Sequence, residues 1–410
     1  MYSDKIIFLF FIYSFRRIIR LIKVGEFYAP GKIIFGSGSL KQIGAEAKRL
    51  GNKVLVVLGK SAMRKSGALD RLTRLLKENN LEYLIYENVP SDPTVETIDT
   101  GTGLARKEKC NLVMALGGGS VLDAGKAISV MVTNEGSVAD YQEIEGKGRK
   151  FQHKTLPFIA IPTTSGTGSE ATRNAVITNT KLGLKKSIRD LCLIPEVALV
   201  DPELTLSLPP HITAICGGDA LTQCIESYLG KKSQEITDAL ALHAIGLIGK
   251  SLVKAVKEEK NLEARKDMAM AALLSGLCLS NSGLGAAHAL SHPLGVYYKI
   301  PHGLSCAVLL PYVMEYNQPV VTKKLAKIAE CLGENISSLS ETEAAQRAVE
   351  KIKEILTAVG IKENLFGWKI EEEDFPKLIK GAKGGSLDNN PRDTSDEDLI
   401  ELLYKMTGLY

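Results

Sequence analysis

The sequence predicts a chain in two parts, an α/β half built on a parallel sheet and an all-helical half. Between residues 32 and 200, short apolar runs bounded by turn residues alternate with helical patterns, as in a parallel sheet covered by helices. After residue 207 only helical periodicity is present. The length of 410 residues, with 45% hydrophobic and 24% charged residues, fits two or three domains of an ordinary globular protein.

The composition excludes several classes of protein. The chain is too apolar to be wholly disordered, and it has neither a collagen repeat nor the long apolar spans of a polytopic membrane protein. Its 51 basic and 47 acidic residues give no basic surplus of the size that nucleic-acid binding requires. The seven cysteines include no C-x-x-C pair, so we expect a reducing, cytoplasmic location without a disulfide framework. Most of these cysteines should be small buried hydrophobes.

Residues 1–24 do not share the pattern of the rest. The run at 6–15 is almost wholly apolar, and Arg16, Arg17 and Arg20 follow it. Such a run is shorter than the about 20 residues of a transmembrane helix, and it lacks the small-residue cleavage site of a signal peptide. We therefore expect a disordered extension or an upstream start site, with a short interfacial anchor as the alternative.

The two halves are predicted element by element. The strands are apolar or β-branched runs at 32–35, 53–58, 84–86, 111–116, 158–161 and 197–200. The helices of the first half are at 61–79, 95–107 and 120–131. Those of the second half are at 211–229, 234–258, 262–281, 285–297, 321–332, 341–359 and 394–407. The prolines near 202–210 favour a boundary there, which predicts an α/β domain at 25–206 and a helical domain at 207–410.

Two polar loops follow neighbouring predicted strands. GGGS at 117–120 ends a strand and opens a helix, and PTTSGTGSE at 162–170 follows the next strand. A helix N-terminus attracts phosphate, and glycines let the backbone approach a ligand closely. In open α/β sheets, ligands bind at the carboxyl ends of the strands. The loops therefore predict a nucleotide site, although a plain tight turn and a solvated loop would have similar sequences.

A set of polar side chains lies in the helical half. Asp219 and Gln223 are four residues apart in a helical pattern, as are His288 and His292, and His302 follows ten residues later. Residues four apart share one face of a helix. Imidazole and carboxylate suit Zn²⁺ and Fe²⁺, so the spacing fits a metal site and satisfied core histidines equally well.

Several motifs together resemble those of the iron-containing (group III) alcohol dehydrogenase family. They are GGGSVLD at 117–123, the loop at 162–170, PEVALVDP at 195–202, GDALT at 218–222, LGAAHALSHPLG at 284–295, His302-Gly303 and NPR at 390–392. The resemblance covers roughly residues 25–410. It implies a Rossmann-like sheet domain followed by an all-α domain, the fold of the dehydroquinate synthase group.

The resemblance also implies which residues bind the ligands. The dinucleotide would contact Gly118, Gly119, Ser120, Asp123, Thr163, Thr164 and Lys185, with Gly59, Lys60 and Ser61 beside the ribose. Asp219, His288 and His302 match three of the four metal ligands of the family. His292 matches the histidine beside the metal that family members use in proton transfer.

Two departures from the family pattern concern these ligands. Gln223 stands where the family has a metal-binding histidine, and an amide oxygen suits Zn²⁺ or Fe²⁺ less well than imidazole. Three ligands can still hold a catalytic metal. The sequence therefore allows either a three-ligand site or a site with Gln223 as the fourth ligand. Gly59-Lys60-Ser61 lacks the acid by which NAD-dependent relatives repel a 2′-phosphate, so NADP is favoured over NAD.

The implied activity is that of a metal-dependent NAD(P)-linked alcohol dehydrogenase or aldehyde reductase. It would transfer a hydride between nicotinamide and a small alcohol or aldehyde, with Fe²⁺ or Zn²⁺ as the metal. The resemblance also suggests a homodimer, without nucleic-acid or membrane partners. The alternatives are a metal-free or non-catalytic dinucleotide-binding relative, and a lyase or cyclase on the same scaffold.

Overall fold

The computed structural model describes residues 25–143 and 148–409, so the predictions for residues 1–24 lie outside the described residues. The strands are β1 (Lys32–Phe35), β2 (Lys53–Gly59), β3 (Glu82–Val89), β4 (Leu112–Gly117), β5 (Phe158–Pro162), β6 (Asn174–Asn179), β7 (Leu184–Arg189) and β8 (Val197–Val200). The helices of the first half are α1 (Ile43–Leu50), α2 (Ala62–Lys65), α3 (Ala68–Glu78), α4 (Val95–Lys107) and α5 (Gly119–Met131).

Six of the strands form one parallel sheet in the order β1-β8-β5-β4-β2-β3. Alternate residues of each strand face opposite sides of the sheet. Leu55 and Val57 pack in the core beneath α4 and α5, whereas Val54 and Val56 pack in the core beneath α1 and α3. Both faces are therefore covered, which confirms the predicted α/β half.

A glycine divides the helix that was predicted at 61–79. Gly67 has φ +74° and separates α2 from α3. A left-handed residue cannot continue a right-handed helix, and glycine adopts this conformation without a steric penalty.

A β-hairpin after the loop at 162–170 was absent from the sequence prediction. β6 and β7 pair antiparallel, and Gly183, with φ +62°, lies in the turn between them. β7 is mostly half-buried and carries Lys185 and Lys186, so it has no apolar run that would indicate a strand. The hairpin brings Lys185 to the same end of the sheet as the polar loops.

The second half is helical throughout its described residues. Its helices are α6 (Pro210–Leu229), α7 (Glu235–Lys257), α8 (Leu262–Ser282), α9 (Ala286–Tyr298), α10 (His302–Cys331), α11 (Glu341–Ala358), α12 (Phe375–Ala382), α13 (Gly385–Asp388) and α14 (Asp396–Thr407). They share one apolar core. The secondary structure thus changes between Val200 and Pro210, and the exact domain limits stay a prediction.

Helix α10 begins earlier than the predicted helix at 321–332. It contains Pro311 and Pro319, and Val321 has the non-helical angles φ −131° and ψ 21°. Prolines inside a sequence argue against a helix because they remove a hydrogen bond and clash with the preceding turn. Here the helix continues through the prolines with a kink, so the prediction found only the part after Val321.

Two helical units have the length and composition of membrane spans. Among the described residues, α7 passes this test alone, and α8 with α9 passes it as a pair bent by 102°. These helices also contribute side chains to the shared core of the helical half.

Candidate functional site

Three turns lie side by side at the carboxyl edge of the sheet. Leu58 of β2 pairs with Leu116 of β4, and Gly117 of β4 pairs with Pro162 of β5. The segments that follow these strands contain most of the residues predicted at the dinucleotide. The sheet therefore brings together the turn of Gly59, Lys60 and Ser61, the glycine turn at 117–120 and the loop at 162–170.

The glycine turn packs tightly against the hydroxyl loop. A Cβ atom on Gly118 would lie 3.2 Å from Cγ2 of Thr164, and one on Gly119 would lie 2.6 Å from Oγ1 of Thr167. Gly118 is the N-cap of α5 and provides no side-chain cap. The first N–H groups of α5 therefore have no cap from Gly118, as a phosphate site at a helix N-terminus requires.

Two of the residues predicted at the cofactor, Ser120 and Asp123, have protein partners. The hydroxyl of Ser120 donates to the carbonyl of Ser91. Asp123 accepts the hydroxyl of Ser169 at 2.5 Å and the N–H of Val176 at 3.0 Å. These contacts join α5 to the hydroxyl loop and to β6.

Lys185 also has a partner, since its Nζ lies 2.5 Å from the carboxylate of Asp92. The roles of Lys185, Ser120 and Asp123 toward a dinucleotide stay predictions.

The hydroxyl loop also contacts the helical half. A Cβ atom on Gly168 would lie 2.5 Å from the Cα of Gly276 in α8, and Gly168 has φ +59°. The hydroxyl of Ser275 lies 3.4 Å from the carbonyl of Gly166 and donates at 2.8 Å to Oε1 of Gln223. The amide of Gln223 in turn donates to Asp219 at 3.3 Å. A short chain of contacts therefore links the loop to Asp219.

Helices α6, α9 and α10 bring Asp219, His288 and His302 together. Oδ1 of Asp219 lies 3.4 Å from Nε2 of His288 and 3.8 Å from Nε2 of His302. Cys306 lies beside them, and one ligand atom from each of these four residues fits within 4.8 Å of the others. We call these four residues the metal cluster. Asp219 and His288 are buried, whereas the side chain of His302 is 33% exposed, so the cluster is open on that side.

Hydrogen bonds to the outer nitrogens orient both histidines. Nδ1 of His288 lies 2.6 Å from the buried carboxylate of Glu226, and Nδ1 of His302 lies 3.2 Å from the hydroxyl of Ser291. Because Ser291 donates to the carbonyl of His288 at 2.9 Å, its oxygen accepts from His302. Each Nε2 is then left with a lone pair that faces the cluster, as in metal-binding histidines.

The charges around the cluster favour a cation. Burial alone would lower the pKa of His288, but the thiol of Cys306 in its ionised form and the carboxylate of Glu226 raise that pKa well above its usual value. Burial would raise the pKa of Asp219, but the neighbouring His288 and His302 bring it below its usual value. Burial would likewise raise the pKa of Cys306, and the same histidines lower it.

His292 lies one turn after His288 in α9 and stacks on His302, with ring centroids 5.6 Å apart. Burial lowers the pKa of His292 well below its usual value, and the nearby His302 and His288 act in the same direction. The imidazole is therefore neutral near pH 7 and can accept a proton. The role of His292 in proton transfer stays a prediction.

Two functional side chains of this site were absent from the sequence prediction. Cys306 follows His302 by four residues, and Glu226 follows Asp219 by seven. Both spacings place the residues on one helix face, so periodicity carried a signal for each. The sequence analysis expects most cysteines, Cys306 among them, to be buried hydrophobes. No neighbouring residue in the sequence indicates that Glu226 contacts a histidine.

The NPR motif has a positioning role in the structure. Asn389, just before it, donates to the carbonyls of Ser282 and Leu284 at 2.9 and 2.7 Å. Asn390 pairs with Asn317 at 3.0 and 2.8 Å. These buried contacts hold the segment that leads into α9, which carries His288 and His292.

Comparison with known proteins gives matches along nearly the whole described chain. Residues 30–202 match the family model of iron-containing alcohol dehydrogenase, and residues 213–407 match that of the Fe-containing alcohol dehydrogenase family, C-terminal. The chain is 36% identical over 380 residues to 1,3-propanediol dehydrogenase of Klebsiella pneumoniae, which covers 92% of this chain and 97% of that protein. It is 42% identical over 347 residues to long-chain-alcohol dehydrogenase 1 of Geobacillus thermodenitrificans, covering 85% and 87%. A crystal structure of 1,3-propanediol oxidoreductase matches with a TM-score of 0.90 and 36% identity, over 94% of this chain and 100% of that one.

Proposed function

The chain belongs to the iron-containing alcohol dehydrogenase family, and on that premise we propose that it converts a small alcohol to its aldehyde, or the reverse, at the metal cluster. Its NAD-linked alcohol dehydrogenase activity follows from the family and its relatives. The sequence-based predictions of family, fold and reaction type are thereby confirmed. The relatives are named as dehydrogenases, which gives no support to a lyase or cyclase.

One observation carries the metal site. Oδ1 of Asp219 and Nε2 of His288 are buried, and neither has a hydrogen-bond partner among the described residues. Leaving two such atoms unpaired costs free energy, and a cation between them removes that cost. Asp219, His288 and His302 are the residues that would hold a divalent metal ion, and their carboxylate and imidazole donors suit Fe²⁺ and Zn²⁺.

Protein groups around the cluster have separate tasks. When bound, the metal supplies Lewis-acid polarisation of the substrate oxygen, and the nicotinamide supplies or accepts the hydride. Glu226 and Ser291 hold the rings of His288 and His302 in the required tautomers. His292, neutral and partly exposed, accepts or returns the proton of the alcohol. The loop at 162–170 packs against α8, and Thr163 and Thr164 are the residues of this loop that would hold the nicotinamide.

The cofactor is NAD or NADP, and we propose that NADP is accepted. Gly59 ends β2 next to the glycine turn, and neither Lys60 nor Ser61 carries a negative charge that would repel a 2′-phosphate. We further propose a homodimer located in the cytoplasm. The seven cysteines are all free, as in a reducing compartment.

Metal removal and return test the proposal. The protein is stripped with a chelator, reloaded with Fe²⁺ or Zn²⁺ without oxygen, and assayed for oxidation of NADH and NADPH with a short aliphatic aldehyde. We expect activity to disappear with the metal and return with it, and His288→Ala to lose bound metal and activity together. Undiminished activity in metal-free protein would contradict the metal-dependent mechanism and favour a metal-free relative.

A further inference from the structure

Gln223 stands where the family has a metal-binding histidine, and two hydrogen bonds hold its amide group. The amide of Gln223 donates to Oδ2 of Asp219 at 3.3 Å, and its oxygen accepts from Ser275 at 2.8 Å. Without a cation between them, the reverse orientation of the amide would set its oxygen against a carboxylate that can only accept. In the observed arrangement the oxygen of Gln223 faces Ser275, and its NH₂ group orients Asp219.

A different side chain provides the fourth donor. Cys306 lies one helical turn after His302 in α10, and its Sγ is 3.7 Å from Nε2 of His302. The thiol is buried, without a disulfide, and it lies within 4.8 Å of the ligand atoms of Asp219 and His288. It approaches the cluster from α10, whereas Gln223 approaches from α6.

The carboxylate and imidazole distances fit a tetrahedral site. Metal–ligand bonds of about 2.0–2.1 Å for nitrogen and oxygen and about 2.3 Å for sulfur put neighbouring donors about 3.4–3.6 Å apart. The observed separations are 3.4 Å from Asp219 to His288 and 3.8 Å from Asp219 to His302. Sγ of Cys306 lies 3.7 Å from Nε2 and 4.0 Å from Nδ1 of His302, so the thiol must turn toward Nε2 to share a metal with it. The unpaired atoms of Asp219 and His288 independently mark the same place as a site for a cation.

We propose that the thiolate of Cys306 is the fourth metal ligand of this chain and takes the place of the imidazole that Gln223 does not supply. The inference rests on the metal site of the proposed function and adds a ligand to it. A sulfur donor is softer than the imidazole it replaces, so the site shifts in favour of Zn²⁺ relative to a site of only nitrogen and oxygen donors.

X-ray absorption of the Zn²⁺-loaded protein tests the ligand directly, without an activity assay. We expect one sulfur atom at about 2.3 Å beside nitrogen and oxygen atoms at about 2.0–2.1 Å. In Cys306→Ala the sulfur signal disappears, and Zn²⁺ affinity measured by chelator competition falls at least about tenfold. Cys278→Ala is the matched control because Cys278 is also fully buried in the helical half, where it contacts the carbonyl of Thr237.

A second variant tests whether Cys306→Ala loses Zn²⁺ because it lacks a ligand, and the wild-type spectrum covers the case in which Cys306→Ala does not fold. Gln223→His with Cys306→Ala places an imidazole opposite the lost thiol, so Zn²⁺ binding returns without a sulfur signal. The wild-type spectrum alone is also decisive. Bound Zn²⁺ with only nitrogen and oxygen neighbours overturns the role of Cys306 and leaves the metal-dependent function standing. Failure of the wild type to bind Zn²⁺ or Fe²⁺ overturns both.

Discussion

The carboxylate of Glu226 lies 2.6 Å from Nδ1 of His288, and this contact decides which ring nitrogen of His288 faces the metal cluster. The same carboxylate accepts the N–H of Ala287 at 2.6 Å, in the first turn of α9. A negative charge there is stabilised by the helix dipole. One buried glutamate of α6 therefore positions both the start of α9 and the ring that α9 carries.

Glu226→Gln should weaken metal binding while the fold persists. The amide keeps the shape of the carboxylate but loses the charge, and its NH₂ group cannot accept a hydrogen bond. Loss of such a partner typically costs 10- to 100-fold in metal affinity, which chelator competition measures. Glu263→Gln, on a side chain 81% exposed, is the control and should bind the metal like the wild type. Equal affinity in both variants would show that Glu226 does not position His288.

His292→Ala should slow turnover without removing the metal. His292 stacks on His302 at 5.6 Å but lies outside the four residues of the metal cluster. Loss of a general acid–base group typically lowers the rate by 10²–10⁴. Steady-state kinetics and metal content, measured on the same preparation, separate the two effects. His243→Ala removes an exposed histidine of α7 and should change neither, and a wild-type rate in His292→Ala would remove its proposed role.

Gly59→Asp should lower the use of NADPH relative to NADH. A Cβ atom on Gly59 would lie 3.5 Å from Cγ2 of Val121, an ordinary contact, and the backbone is not left-handed there. The aspartate therefore fits and repels the 2′-phosphate, which should lower kcat/KM for NADPH about 10- to 100-fold and spare NADH. Gly59→Asn, with the same shape and no charge, is the matched control. A similar loss for both cofactors in both variants would indicate a steric effect.

Glu170→Gln should stabilise the protein at alkaline pH only. Burial raises the pKa of Glu170 to about 7 from 4.5, although Lys126 acts against the shift. Between pH 4.5 and about pH 7 the native state binds more protons than the unfolded state, so the free energy of unfolding falls as the pH rises. The glutamine carries no such charge, and the variant should gain up to ~3 kcal/mol over the wild type at pH 8.

Denaturant unfolding at pH 5 and pH 8 measures this difference for Glu170→Gln. At pH 5 the wild-type carboxyl is protonated in the native state, and the two proteins should be nearly equal. Glu82→Gln replaces a side chain that is 77% exposed and should behave alike at both pH values. If the stability of Glu170→Gln relative to wild type is the same at pH 5 and pH 8, the native carboxyl is ionised throughout.

Most elements of the sheet half could be predicted because their signals are local. β1, α4 and β8 have the predicted bounds, since each is a short run between turn residues or begins at a cap. Thr94, for example, accepts the N–H of Thr97 at the start of α4. The hairpin of β6 and β7 escaped prediction because β7 carries Lys185 and Lys186 instead of an apolar run, which left β6 without a recognisable partner strand.

The sequence by itself determined most of the order of elements, and it set Asp219 on one helix and His288 and His292 on another, with His302 ten residues later. It also revealed that Gln223 departs from the pattern of its family. Only the tertiary structure decided what surrounds these residues. It directs the amide oxygen of Gln223 to Ser275 and sets Cys306 and Glu226 beside the histidines. Such contacts join side chains from different helices, and their geometry depends on helix packing, which local periodicity does not specify.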